Sequence, residues 1–191
     1  KGAKENEFSY YTDYSIGFLT RGCFRKCKFC VNRHYDRCVK HSNVDEFIDL
    51  ERPKICFLDD NFFACPEWKS IIEKVKTYNK PFQFKQGLDE RLLTRDKIEE
   101  LLNWKYDGDY IFAFDNIKDK EVINEKLKIW RKYTNKKTKL YCFTGFDREN
   151  IHDFKFEKQD FIDLFERIKI LINNKCYPYI MRHENYEKLK E

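Results

Sequence analysis

Three cysteines fall within eight residues, Cys23, Cys27 and Cys30, inside a stretch that reads GFLTRGCFRKCKFCVNR from Gly17 to Arg33. Thiols spaced C-x3-C-x2-C on one loop converge on one inorganic centre more readily than they reach separate places. Cysteine thiolates are the usual ligands of iron–sulfur clusters. Three protein ligands to a four-iron cluster leave one iron open, and an open coordination position is where metal sites do chemistry. A second reading counts His34, which extends the spacing to C-x3-C-x2-C-x3-H. Zinc takes Cys3His sets as closed structural sites. The chain would then be a zinc-binding module without catalysis, using its basic balance and aromatic residues on nucleic acid.

With the aromatic Phe29 directly before the last thiol and a short apolar run ahead of the first, this loop resembles the cluster-binding loop of the radical S-adenosylmethionine (radical SAM) superfamily. The resemblance implies a [4Fe-4S] cluster on Cys23, Cys27 and Cys30. It implies S-adenosyl-L-methionine chelating the open iron through its methionyl amine and carboxylate. It further implies a reductant such as flavodoxin or ferredoxin, and reductive cleavage of the sulfonium to a 5′-deoxyadenosyl radical that acts on a substrate the sequence does not identify. The fold that goes with it is α/β, a partial (β/α)6 TIM-like barrel with a parallel sheet and outer helices.

Such a loop needs a strand in front of it and a scaffold behind it. Residues 1–15 read as a polar, aromatic lead-in with Tyr10, Tyr11 and Tyr14, and residues 16–191 as the core domain. The first strand is expected over Ile16–Thr20. Ser42-Asn43-Val44-Asp45 has the [ST]-x-x-[DE] form of a helix start, and Phe47, Ile48 and Leu50 suggest a short helix after it. Lys54–Leu58 is an apolar run between Pro53 and Asp59-Asp60-Asn61, a buried strand. Beyond Pro66, Trp68, Ile71, Ile72 and Val75 repeat at helical spacing. Pro81–Gly87 reads as a third strand and Thr94 as the cap of a helix carrying Ile98, Leu101 and Leu102. Tyr110–Asp115 is a fourth strand, and the helix over 118–133 turns Val122, Ile123, Leu127 and Trp130 inward. Lys139–Gly145 is a fifth strand. A polar loop through Asp153 then leads to a helix with Phe161, Leu164, Phe165, Ile168, Leu171 and Ile172 on its apolar face. Cys176–Arg182 is the sixth strand, whose Pro178 marks its start as an edge or a strand entry. Strands alternating with helices imply βαβ units and a parallel sheet. The 191 residues are short of the roughly 250 of a complete eightfold barrel.

Ligands of parallel α/β folds bind at the carboxyl ends of the strands. That rule gathers the cysteine loop, Asp59-Asp60-Asn61, Gln86-Gly87, Asp115-Asn116, Thr144-Gly145 and Arg182-His183-Glu184. The resemblance implies roles for some of them. Asp59 or Asp60 stands where the family binds the methionyl amine, although the family's Gly-Gly-Glu is Asp-Asp-Asn here. Asp115 stands at the ribose position, and a carboxylate accepts from both sugar hydroxyls. Phe29 would pack near the adenine, while Gly87 and Gly145 let backbone approach the cofactor. Arg182 would hold a carboxylate bidentately; Gln86 and Thr144 complete the cofactor-binding set. Plain helix capping is the competing reading for Asp59, Asp60 and Asp115. Arg91 reads as a surface or salt-bridge residue.

Of the remaining cysteines, Cys56, Cys142 and Cys176 sit in strand-like runs as small buried hydrophobes. Cys38 and Cys65 lie in loops on the active side, where a second metal centre is the alternative to a bland role. His41, His152 and His183 have no sequence partners. The net charge of +5 comes with both signs interspersed along the helices, the pattern of a solvated surface. No run approaches the ~18 apolar residues of a membrane span, and no secretory leader is present. Clustered cysteines without a leader point to a reducing, cytoplasmic setting. The resemblance leaves two options for the open side of the barrel: a large substrate such as a peptide, protein or RNA, or a partner subunit that closes it.

Overall fold

The computed structural model describes residues 13–146 and 154–183. Strand β1 spans Tyr14–Gly17, and a two-residue ribbon follows, β2 Thr20–Arg21 paired antiparallel with β3 Val39–Lys40. Then come β4 Lys54–Phe57, helix α1 Trp68–Lys76, β5 Phe82–Phe84, α2 Arg95–Leu102, β6 Tyr110–Ala113, α3 Lys120–Tyr133, β7 Thr138–Thr144, α4 Phe154–Asn173 and β8 Tyr177–Arg182. Single 3-10 turns sit at Val44–Glu46, Phe62–Ala64, Glu90–Leu92 and Ile117–Asp119.

All six long-range strands run parallel, as β1-β4-β5 and β6-β7-β8. Parallel bridges at Phe82–Tyr106 and Leu88–Phe112 join the two groups, so spatial order follows chain order. The architecture is thus mixed α/β, built of parallel sheets and helices. No ladder between β1 and β8 closes the array among the described residues.

Sequence explains most of these elements. In α1, Ile71, Ile72 and Val75 are buried on one face, while Lys74 and Lys76 complement the carbonyl end of the helix dipole. The Thr94 hydroxyl caps α2 by accepting from Lys97 N. Ile123, Leu127 and Trp130 face inward from α3, and the Trp130 indole donates to Thr138 Oγ1 at 2.9 Å. Aromatics fill the centre: Phe57 packs on Phe84 at 5.2 Å between ring centroids, and Phe62 on Phe84 at 4.8 Å. Each such buried side chain contributes about 1.5–3 kcal/mol.

Four expectations shift. β1 starts at Tyr14, within the stretch read as lead-in, because Tyr14 and Ser15 are buried against β4 and paired with Lys54 and Ile55. The helix expected near Ser42 is only the turn Val44–Glu46, opened by Asn43, whose N–H donates to Glu46 Oε1. Val122 lies at the solvent edge of α3. Among the described side chains of α4, Leu164, Arg167 and Leu171 are buried and Ile168 is half-buried against the core, whereas Phe161, Phe165 and Ile172 are exposed. Packing covers a narrow stripe of that helix, although its apolar residues span a wider one. The expected edge position of the last strand holds: β8 pairs with β7 alone among the described residues and is mostly exposed. Residues 1–12 and His152 lie outside the described residues.

Candidate functional site

The thiol loop begins and ends in the β2–β3 ribbon, which brings Thr20 opposite Lys40 and Arg21 opposite Val39. Gly22 has φ +95°, and a Cβ there would lie 2.3 Å from the Arg37 carbonyl oxygen. Only glycine lets the two arms of the loop approach this closely.

Two aspartates at the end of β4 hold the loop from below. Asp59 is 2% exposed; its Oδ1 accepts from Thr20 N and Thr20 Oγ1, both at 2.6 Å, and its Oδ2 from Leu19 N at 3.2 Å. Burial pushes its carboxyl up to about 6, against the lowering effect of those donors. Asp60 accepts from Gly22 N at 2.8 Å, Asn32 Nδ2 at 2.7 Å and Arg21 Nη1 at 3.4 Å. The pair expected to meet a cofactor amine is therefore placed on the backbone and side chains of the loop. The helix-capping alternative does not describe them either: the turn after Asn61 has no side-chain cap.

Asn61 reaches the sulfur itself. Its Nδ2 donates to Cys23 Sγ at 3.3 Å and to Asp89 Oδ2 at 3.3 Å, and Arg25 N approaches the same sulfur at 3.4 Å. Asn61 Oδ1 is buried with no protein partner. Asp89 ties the network together by accepting from Arg25 Nε and Arg91 Nε, each at 2.7 Å. Burial alone would raise the Asp89 carboxyl, but the bonds and charges of Arg91 and Arg25 outweigh it and hold it below the ordinary range. Arg91 Nη1 continues to Asp119 Oδ2 at 2.6 Å, so Arg91 is the ion-pair residue its sequence context suggested.

Beside the loop lies a cavity of about 410 Å³, lined among others by Cys27, Phe29, Arg91, Asp115 and Asn116. This is within the size range of small-molecule sites. Burial raises the Cys27 thiol, and the Asp115 charge and the Cys23 sulfur add to the effect. Phe29 spans to the end of β7, where its ring lies 4.5 Å from that of Phe143 and 6.0 Å from that of Phe146. Asp115 Oδ1 accepts from Phe143 N at 3.1 Å, which fixes the carboxylate at the cavity wall.

Three expected residues are placed elsewhere. Thr144 turns its hydroxyl to Asp160, which also accepts from Gly145 N at 2.8 Å. Gln86 is exposed after β5, and Arg182 is exposed on β8 opposite Thr144; neither lines the cavity. Gly87 and Gly145 do take positive φ, +90° and +80°. His34 is exposed, stacked on Tyr35, with Nδ1 3.0 Å from the Val31 carbonyl. His41 is exposed, and His183 packs on Phe143 and Phe146. Cys56, Cys142 and Cys176 are buried, as their strands require. Cys38 and Cys65 meet each other through a sulfur hydrogen bond in the core, and no third ligating side chain joins them among the described residues.

Sequence reading placed Asn61 among the strand-end residues without giving it a role, passed over Arg25, Asp89 and Glu90 as site residues, and missed Arg167 altogether. Arg167, 2% exposed, donates from Nη1 to the carbonyls of Phe114 (2.8 Å) and Phe143 (3.0 Å), tying together the ends of β6 and β7. A basic residue within an apolar helical stripe was the available signal.

Does this donor set fit an iron–sulfur cluster? Among the described residues no three His, Cys, Asp or Glu side chains close tightly around one point, as the ligands of a single ion do. The chemistry of the set does fit. Cys23, Cys27 and Cys30 are the half-exposed cysteines, the other five being buried, and they share one anchored loop. Cys23 already receives N–H donors, and an orphaned amide oxygen sits beside it.

No family model matches the chain, and no curated protein or solved structure matches it either.

Proposed function

We propose that this protein is a radical SAM enzyme whose six parallel strands form a partial (β/α)6 barrel. Cys23, Cys27 and Cys30 would hold the [4Fe-4S] cluster, and the cavity beside Cys27 would hold S-adenosyl-L-methionine. The observation that carries this reading is the position of the anchored thiol loop. It lies at the carboxyl ends of consecutive parallel strands, next to a cavity whose wall includes the Cys27 thiol, the Phe29 ring and the Asp115 carboxylate.

Bound there, the cluster supplies the electron that cleaves the sulfonium of the cofactor. The chain's own residues do the rest. Asp59 and Asp60 fix the loop, so the thiols need not be ordered at the moment of binding. Asn61 and the Arg25 amide direct N–H donors at the Cys23 sulfur and hold it in place. Asp115, held by Phe143 N, keeps an acceptor directed at the ribose hydroxyls, and Phe29 offers its ring to the adenine. Arg25 and Arg91 neutralise Asp89 close to the sulfur. The electron would come from flavodoxin or ferredoxin in a cytoplasmic setting that keeps the five buried thiols reduced.

Anaerobic reconstitution with iron and sulfide tests this. A brown protein with about four irons per chain is expected, losing its colour in each of Cys23→Ala, Cys27→Ala and Cys30→Ala. It should release 5′-deoxyadenosine on adding cofactor and reductant. A colourless protein with one zinc per chain, retained through Cys23, Cys27, Cys30 and His34, would overturn the reading in favour of a zinc module.

A further inference from the structure

The chain's excess positive charge is concentrated in one place. Across the whole sequence 38 Lys and Arg stand against 33 Asp and Glu, a net of +5. Between Arg21 and Lys40 there are seven Lys and Arg against the single Asp36, a net of +6. The rest of the molecule is therefore close to neutral, and the thiol loop carries the field.

Charge compensation for three thiolates does not account for this. The two cations that turn inward, Arg21 and Arg25, are already paired with Asp60 and Asp89. Lys26, Lys28, Arg33, Arg37 and Lys40 are exposed, Lys26 in a surface ion pair with Asp36, where water and salt screen them from the sulfurs. Lys26 and Lys28, with Lys118 from the turn after β6, line the cavity beside Cys27. Aromatic faces alternate with these cations. The Phe24 ring is 41% exposed under the Arg25 guanidinium at 4.6 Å, and the exposed His34 ring lies 4.2 Å from that of the half-buried Tyr35, tilted by 37°. A second hollow of about 290 Å³ opens between Phe24 and Arg37, lined also by Asp36 and Glu67.

Cations that track a backbone, interleaved with rings on which bases stack, are the means by which proteins hold single-stranded nucleic acid. We infer that the thiol loop is a docking surface for single-stranded nucleic acid, with one nucleotide presented at the rim of the cavity beside Cys27, next to the cofactor proposed to fill it. An acidic polypeptide would use the charges but leave the rings without partners. The binding surface rests on charge and ring placement alone. Its identification as the substrate surface rests on the function proposed above.

The test is fluorescence anisotropy with labelled 12-nucleotide oligouridylate and oligodeoxythymidylate, on apo and iron-loaded protein. Binding is expected in both protein forms. Five phosphate contacts give a slope of log K against log salt of roughly −3.5, and so a loss of about 100-fold between 50 and 200 mM salt. The variant Lys26→Ala/Lys28→Ala/Arg33→Ala/Arg37→Ala should bind at least 30-fold more weakly, with a slope of about −0.7. Its circular dichroism should match that of the parent. Phe24→Leu leaves the charges intact, so it should lose about tenfold in affinity with the slope unchanged. Tighter binding of either sugar, or equal binding of both, supports the proposal and assigns RNA, DNA or no discrimination. Salt-insensitive or absent binding, or equally tight binding of polyglutamate, overturns it. The iron content of the same samples reports separately on the proposed function.

Discussion

Glu90 is fully buried, and the protein gives its carboxyl little support. Oε2 accepts from Ala113 N at 3.3 Å, while Oε1 has no partner among the described residues. Burial, reinforced by the Asp89 charge, pushes its pKa up to about 8 from an ordinary 4.5. The folded chain therefore keeps a proton that the unfolded chain gives up above pH 4.5. The stabilisation is fully present below that value and is lost as pH rises through 8. Replacing Glu90 by Gln removes the titration. The parent should lose roughly 2–4 kcal/mol more than the variant between pH 5 and pH 9, measured by urea unfolding. Parallel curves for the two proteins would show that this carboxyl does not titrate across folding. The neighbouring Asn61 makes a different kind of prediction, because it touches the sulfur of Cys23, proposed above as a cluster ligand. Asn61→Ala should leave stability within about 1–2 kcal/mol of the parent yet slow iron uptake, followed by absorbance during reconstitution. An unchanged uptake rate would remove Asn61 from the site.

At the scale of elements, the β2–β3 ribbon stands out. It has two residues per strand and would not persist in water alone. Asp59 holds it by taking three donors from Leu19 and Thr20, so Asp59→Ala leaves buried N–H groups unpaired. Each such group costs about 1–3 kcal/mol. The expected outcome is a fall in thermal midpoint together with loss of iron binding, whereas Asp59→Asn keeps two acceptor positions and should lose less of both. Gly22→Ala tests the same ribbon from the other side. The strained φ of +95° and the contact with the Arg37 carbonyl should cost at least about 1–3 kcal/mol and open the loop. A variant with parental stability would mean that the arms of the loop adjust freely.

Over the whole molecule, one continuous core joins the two three-stranded groups, and the site adds a link of its own. Phe29 leaves a loop rooted beside β1 and β4 and lands on Phe143 of β7. Phe29→Ala should change the thermal midpoint little, since the ring is only half-buried, while releasing the loop from the second group. Trypsin should then cut at Lys26 or Lys28 several-fold faster under native conditions, scored by mass spectrometry of the fragments. An unchanged cutting pattern would show that the loop is held by its aspartates alone. On the far side of the array, the apolar side chains of Tyr177, Tyr179, Ile180 and Met181 on β8 are exposed, as are Phe161 and Phe165 on α4. No helix among the described residues is long and apolar enough to cross a membrane.

Periodicity and punctuation in the sequence determined the elements. Apolar runs such as Lys54–Phe57 and helical stripes such as Ile123, Leu127 and Trp130 encode local structure directly, because burial repeats with the geometry of the backbone. The thiol spacing was legible for the same reason: it is local. The exposed half of α4, the brevity of the turn at Val44–Glu46 and the residues that surround Cys23 were decided by tertiary structure alone. Asn61, Asp89 and Arg25 lie 28 to 64 positions apart in the chain and meet only when strands assemble side by side. Long-range contacts of this kind leave no periodic trace. The aspartates of the Asp-Asp-Asn run were visible in sequence, but which way their oxygens face was settled by the unpaired donors of a loop folded over them.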